Sequence, residues 1–85
     1  MKLLWEDRAW EQYEFWQHQD RKTLSRINKL LKDIRRNPFA GLGKPEPLTG
    51  NFSGWWSRRI DAENRIVYKQ ISDDVVVIAA CKNHY

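Results

Sequence analysis

The sequence predicts an α+β domain in which two N-terminal helices pack on one face of an antiparallel sheet. Three observations predict it. Apolar residues recur at helical spacing from Ala9 to Ile34. After Trp55, β-branched and aromatic residues dominate, in three short stretches divided by polar turns. Between these halves runs a connection rich in glycine and proline. The order strand, helix, helix, loop and three strands favours helices gathered on one side of a sheet.

Residues 1–5 read as a short strand. Ala9-Trp10-x-x-Tyr13-x-x-Trp16 has helical spacing, and this helix ends near His18-Gln19. His18 falls at the helix–helix turn and is expected to be merely exposed. Asp20 is placed to cap the next helix. Leu24, Ile27, Leu31 and Ile34 give that helix an apolar stripe, widened by Leu30, while Arg21, Lys22, Arg26, Lys29, Lys32, Arg35 and Arg36 cover much of the rest. It stops before Asn37-Pro38, because the residue ahead of proline is pushed out of the α region. The connection over residues 39–54 holds all four glycines and, with Pro38 at its edge, all three prolines. Its length without structure points to a functional role. Strands follow at 55–60, 64–70 and 75–81, with turns at 61–63 and 72–74.

A chain of 85 residues makes one domain. It buries only about 60–65% of the surface its unfolded form exposes, so the core must be dense in large side chains. Most of the aromatics are therefore assigned to packing. Cys81, alone in the last apolar strand, reads as a buried hydrophobe. With no cluster of Cys, His and Asp at ligand spacing, neither a metal site nor a cofactor is expected. The apolar run at 75–81 is too short to span a bilayer. Residues 1–5 meet Glu6-Asp7 before the hydrophobic region of a secretory leader develops. A soluble, cytoplasmic protein without membrane contact is expected.

The net charge of +4 is unevenly spread: −3 over residues 1–20, +7 over 21–65 and zero over 66–85. A basic middle on so small a domain fits a polyanionic partner. Solvated basic helix faces are common, so this signal alone is modest.

Glu46 stands between Pro45 and Pro47. Both Lys44 and Glu46 precede a proline, and both are expected near extended geometry. Glu46 is either an exposed linker acid or a positioned general base. Arg58, Arg59 and Arg65 lie on or beside the second hairpin, as solvent-facing cations or as a phosphate clamp. A three-residue loop at 61–63 pairs Arg59 with Arg65. A four-residue loop pairs Ile60 with Arg65 and sends Arg59 away. The sequence leaves both open. His84 and Tyr85 follow the most apolar strand, which suggests a placed imidazole and phenol. Glu, Arg and His together suit metal-free RNA cleavage: a base takes the ribose 2′-OH proton, a cation stabilises the pentavalent phosphate, and an acid protonates the leaving 5′ oxygen.

Several segments carry a resemblance: Lys2-Leu3-x-Trp5, Arg35-Arg36-x-Pro38-Phe39-x-Gly41-x-Gly43-Lys44-Pro45-Glu46-Pro47-Leu48, Trp56-Ser57-Arg58-Arg59-Ile60, Arg65-x-Val67-Tyr68, and Ile78-Ala79-Ala80-Cys81-x-x-His84-Tyr85. They resemble the YoeB toxins, of the RelE superfamily of bacterial toxin–antitoxin systems, over essentially the whole chain. The resemblance implies a RelE-like ribonuclease fold and an endonuclease acting on mRNA at the ribosome. By that likeness Glu46 is the general base, His84 the general acid and Arg65 the stabiliser of the transition-state phosphate. Tyr85 orients the scissile nucleotide, and Lys44 and Arg59 bind RNA. It also implies a Phd/YefM-type antitoxin that wraps the toxin and disturbs its active site, and a homodimer. Two positions depart from the pattern. Thr49 stands where a basic residue is expected, and Asn83 precedes the histidine where an aromatic residue often stands. The residues by themselves also allow a basic RNA- or ribosome-binding module without catalysis, or a ribonuclease that acts on free RNA.

Overall fold

The computed structural model describes residues 1–83. Strand β1 (Lys2–Trp5) leads into helices α1 (Asp7–Gln19) and α2 (Arg21–Arg36). Asp20 divides the helices. Its extended backbone breaks α1, and its carboxylate accepts from the Lys22 and Thr23 N–H groups at 3.0 and 3.3 Å. Asn37 ends α2 in extended geometry one residue before Pro38, as the sequence predicts. Helix α2 buries Ile27, Leu30, Leu31 and Ile34, and α1 buries Ala9 and Trp16. His18 is exposed.

The remaining strands are β2 (Glu46–Pro47), β3 (Trp56–Arg59), β4 (Arg65–Ser72) and β5 (Val75–Ala80). A single turn of 3-10 helix at Gly50–Phe52 follows β2. The sheet order is β1-β5-β4-β3-β2. The α+β architecture is as the sequence predicts, but the sheet is mixed. Strand β1 runs parallel to β5, pairing Lys2 with Val75 and Trp5 with Ile78, while the other neighbours are antiparallel. Parallel neighbours need a long crossover between them. Everything from α1 to β4 serves as that crossover, and the order of elements alone does not reveal which strand β1 joins.

The core lies between the helices and one sheet face, where Ile27, Leu30, Leu31 and Ile34 meet Ile66, Tyr68, Val76 and Ile78. Side-chain alternation leaves Ser57, Arg59, Arg65 and Val67 on the face away from the helices. Cys81 is fully buried, and burial pushes its thiol up to about 12. That makes it a packing residue and an inert one. No helix among the described residues is long and apolar enough to cross a membrane.

Candidate active site

Glu46 is held from both directions along the chain. In the short β2–β3 ladder it pairs with Ser57, and Pro47 pairs with Trp56. Beyond the ladder, the Leu48 N–H donates to the Trp55 carbonyl at 2.8 Å. Before it, the Arg59 N–H donates to the Gly43 carbonyl at 2.7 Å. Gly43 has φ 79°, and a Cβ there would sit 2.9 Å from Leu30 Cδ2 and 3.0 Å from the Arg59 carbonyl oxygen. Only glycine allows both the turn and this close approach. Lys44 then takes φ 51°, so it does not share the extended geometry of Glu46. The sequence rule failed at Lys44 because a following proline disfavours the right-handed helical region without fixing the sign of φ. The turn out of Gly43 sets that sign.

The stretch that precedes Gly43 is pinned by a residue that sequence reasoning grouped with the surface cations. Arg58 is fully buried on the helix side. Its Nε donates to Tyr68 Oη at 3.0 Å, and Nη1 donates to Asp33 Oδ2 and the Leu42 carbonyl. Nη2 donates to the Asn37 and Ala40 carbonyls at 2.6 and 3.1 Å. All five donors of one guanidinium are satisfied, four of them by α2 and the loop that follows it. Tyr68 Oη donates onward to the Pro38 carbonyl at 2.6 Å. Asp33 also accepts from the Leu42 N–H at 2.9 Å. That bond, followed by the Arg58 guanidinium, holds the Asp33 carboxyl below the usual carboxylate range. Burial pushes the Tyr68 phenol up, against the pull of Arg58. Arg58 therefore belongs to the scaffold and not to a phosphate clamp. Strand alternation was the signal available for this, and it needed the register to be read.

The other two arginines do share a face. The Ile60 N–H donates to the Asn64 carbonyl at 2.9 Å, closing the three-residue loop, and Arg59 pairs directly with Arg65. Like charges placed opposite each other on a sheet are unfavourable. Among the described residues neither is paired with a carboxylate. Ser57 stands between Glu46 on β2 and Val67 on β4, with Arg59 two residues further along β3. From strand spacing, the Glu46 and Arg65 Cα atoms are about 12 Å apart. Ser57 Oγ is buried in the middle of this face and has no hydrogen-bond partner among the described residues. The sequence offered no sign of it. Lys44 and Thr49 are exposed near Glu46 in the chain.

The approach to the last residues is also fixed. Helix α1 satisfies both backbone groups of Cys81. Gln12 Oε1 accepts from its N–H at 2.7 Å, and Trp16 Nε1 donates to its carbonyl at 2.9 Å. His84 and Tyr85, the predicted acid and orienting phenol, lie outside the described residues. The structure therefore brings Glu46, Arg59 and Arg65 together and fixes the chain up to Asn83.

Comparisons with known proteins agree on one family. The model of the YoeB-like toxin of bacterial type II toxin–antitoxin systems matches residues 5–85. Toxin YoeB of Escherichia coli strain K12 is 53% identical over 85 residues, covering all of both chains. A YoeB/ParE toxin from Agrobacterium tumefaciens superposes with a TM-score of 0.95 at 49% identity, again over all of both chains. YoeB from Staphylococcus aureus has been solved as a dimer, with a TM-score of 0.91 and 43% identity, and in complex with YefM, with 0.89 and 42%. Those two matches cover all of this chain and 98% of the other.

Proposed function

This chain belongs to the YoeB-like toxins of bacterial type II toxin–antitoxin systems, and from that premise we propose that it is a metal-independent endoribonuclease that cleaves mRNA on the ribosome and so inhibits translation. The observation that carries the proposal is the shared sheet face of Glu46, Arg59 and Arg65, set by the β2–β3 and β3–β4 registers. Glu46 takes the ribose 2′-OH proton, and the oxygen attacks the adjacent phosphorus. Arg65 stabilises the charge that builds on the pentavalent phosphate, where a preorganised cation supplies a large part of catalysis. His84, as imidazolium, protonates the 5′ oxygen as the P–O5′ bond breaks. Tyr85 orients the scissile nucleotide, and Lys44 and Arg59 hold the flanking phosphates. The products are a 2′,3′-cyclic phosphate and a 5′-hydroxyl.

The same basic face suits an acidic inhibitor segment. By likeness to the S. aureus toxin, a YefM-type antitoxin covers it and a homodimer forms. The protein acts in the cytoplasm, where its substrate is.

The test is to map RNA ends after incubation with and without ribosomes, at the magnesium level that keeps ribosomes intact and with a chelator selective for transition metals. Cyclic-phosphate ends that appear only with ribosomes are expected. Ends carrying a 3′-hydroxyl overturn the 2′-OH mechanism, and equal cleavage of free RNA overturns the ribosome requirement. Glu46→Gln and His84→Gln should each slow single-turnover cleavage by roughly 10²-fold or more while ribosome binding persists. A non-catalytic binding module would lose nothing with either change.

A further inference from the structure

Asn83 is fixed by two hydrogen bonds to consecutive residues at the start of β4. Its N–H donates to Asn64 Oδ1 at 2.7 Å, and its carbonyl accepts from the Arg65 N–H at 2.9 Å. The Asn64 amide cannot turn round. Its Nδ2 donates to both carboxylate oxygens of Asp61 at 3.1 Å, which leaves Oδ1 to face Asn83. The Asp61 carboxylate is held in turn by the Glu63 and Asn64 N–H groups at 2.8 and 2.7 Å. Asn64 is only 9% exposed, unusual for an asparagine in a surface turn. Asn83 has φ 63°, a left-handed conformation that asparagine tolerates and a bulky aromatic does not favour. Its departure from the family pattern therefore matches the backbone it occupies.

We propose that Asn64, locked by Asp61, is a positioning residue for protonation of the leaving oxygen, acting through Asn83 on His84. The inference rests on the reading of His84 as the general acid. It adds a reason for the geometry: the same hydrogen-bond pair that fixes residue 83 includes the backbone of Arg65. The segment before the acid and the cation for the phosphate are thus registered against one another.

The experiment uses the full chain on programmed ribosomes. Single-turnover cleavage is measured on an ordinary message and on one with sulfur in place of the bridging 5′ oxygen at the scissile position. When the P–O5′ bond breaks, its electron pair passes to oxygen, which needs a proton. A 5′ sulfur leaves as a thiolate and does not. Asn64→Ala should cleave the ordinary message about 10–100-fold more slowly than wild type at saturation, the range expected for a misplaced catalytic group. Its affinity for loaded ribosomes should be unchanged, and the sulfur message should restore it to the wild-type rate. Should Asn64→Ala fail to fold, Asp61→Asn, which frees the Asn64 amide while keeping an acceptor for the turn, should show the same pattern more weakly. A wild-type rate on the ordinary message, or equal slowing on both messages, overturns the proposal and makes Asn64 scaffold only. His84→Gln is the control. If it cleaves the ordinary message at the wild-type rate, the acid reading itself has failed. If it is slow and rescued by sulfur while Asn64→Ala is not, only the positioning role has failed.

Discussion

Arg58 and Arg59 are consecutive on β3 and occupy opposite faces of the sheet. Arg58 is sealed under the helices, and five hydrogen bonds use every donor of its guanidinium. Arg59 is exposed, stands opposite Arg65, and meets no carboxylate among the described residues. The sheet thus separates a compensated charge from the exposed charge proposed to bind RNA. The covered face compensates Arg58 completely and uses it to hold the loop that leads to Glu46. On the open face, Arg59 and Arg65 meet no carboxylate among the described residues, which is unfavourable for an isolated sheet and favourable for binding phosphate.

The largest expected effect tests the covered face. Asp33→Ala removes the carboxylate partner of a buried guanidinium, a change that usually costs about 3–5 kcal/mol. In a domain of this size the melting temperature falls by about 12 °C or more. Arg59→Ala should stay within about 0.5 kcal/mol of wild type and lose RNA cleavage. Thermal melts of the two variants side by side break the comparison if Asp33→Ala melts with the wild type or Arg59→Ala unfolds.

A smaller effect appears with pH. The Asp33 carboxyl is held below its ordinary value of 3.8 by the Leu42 N–H and then by Arg58. The folded state therefore binds this proton less readily than the unfolded state. The resulting stability is fully present above the ordinary value and drains away as pH falls through the folded one. Melting temperature followed from neutral to acid should drop over that range, and less steeply in Asp33→Asn. Equal slopes in the two proteins would place the acid-sensitive group elsewhere, with Asp61 and Asp20 the other lowered carboxyls among the described residues.

The smallest effect concerns a buried hydroxyl on the open face. Ser57 Oγ is buried without a partner among the described residues, and a buried hydroxyl left unpaired costs about 1–3 kcal/mol of desolvation. Ser57→Ala should leave denaturant stability equal to wild type or raise it by up to about 1 kcal/mol. A loss of the same size would mean that the hydroxyl has a hydrogen-bond partner beyond the described residues, a buried water included.

The helices were legible because their signals are local. Asp20 caps α2 through groups two and three residues away, and Pro38 ends it through its own ring. The positions of β1, β3, β4 and β5 were legible from composition; β2, inside the stretch expected to be an unstructured connection, was not. The partner of β1 was not, since a parallel pair between Lys2 and Val75 is recorded nowhere near either residue. The faces of Arg58 and Arg59 hinged on one residue of loop length, which decided every side chain on β3 at once. Glu46 was legible as a stiffened acid between prolines. The guanidinium that positions its loop was not, because its partners Asp33, Asn37, Ala40, Leu42 and Tyr68 are scattered along the chain and converge only in the fold. Asn83 looked like a missing aromatic ring until its backbone conformation gave the choice a cause.

The pairing of β1 with β5 also sets an order in time. Synthesis delivers the N-terminus first, at about 5–20 residues per second, so Lys2–Trp5 emerges seconds before Val75–Ala80 exists to pair with it. The helices and the β2–β4 meander rely on contacts closer in sequence and can collect meanwhile, but the sheet closes only when β5 docks between β1 and β4. Asn83, and with it the approach to the candidate acid, lies beyond β5 in the chain. The candidate site is therefore completed only when β5 docks, the step that closes the sheet.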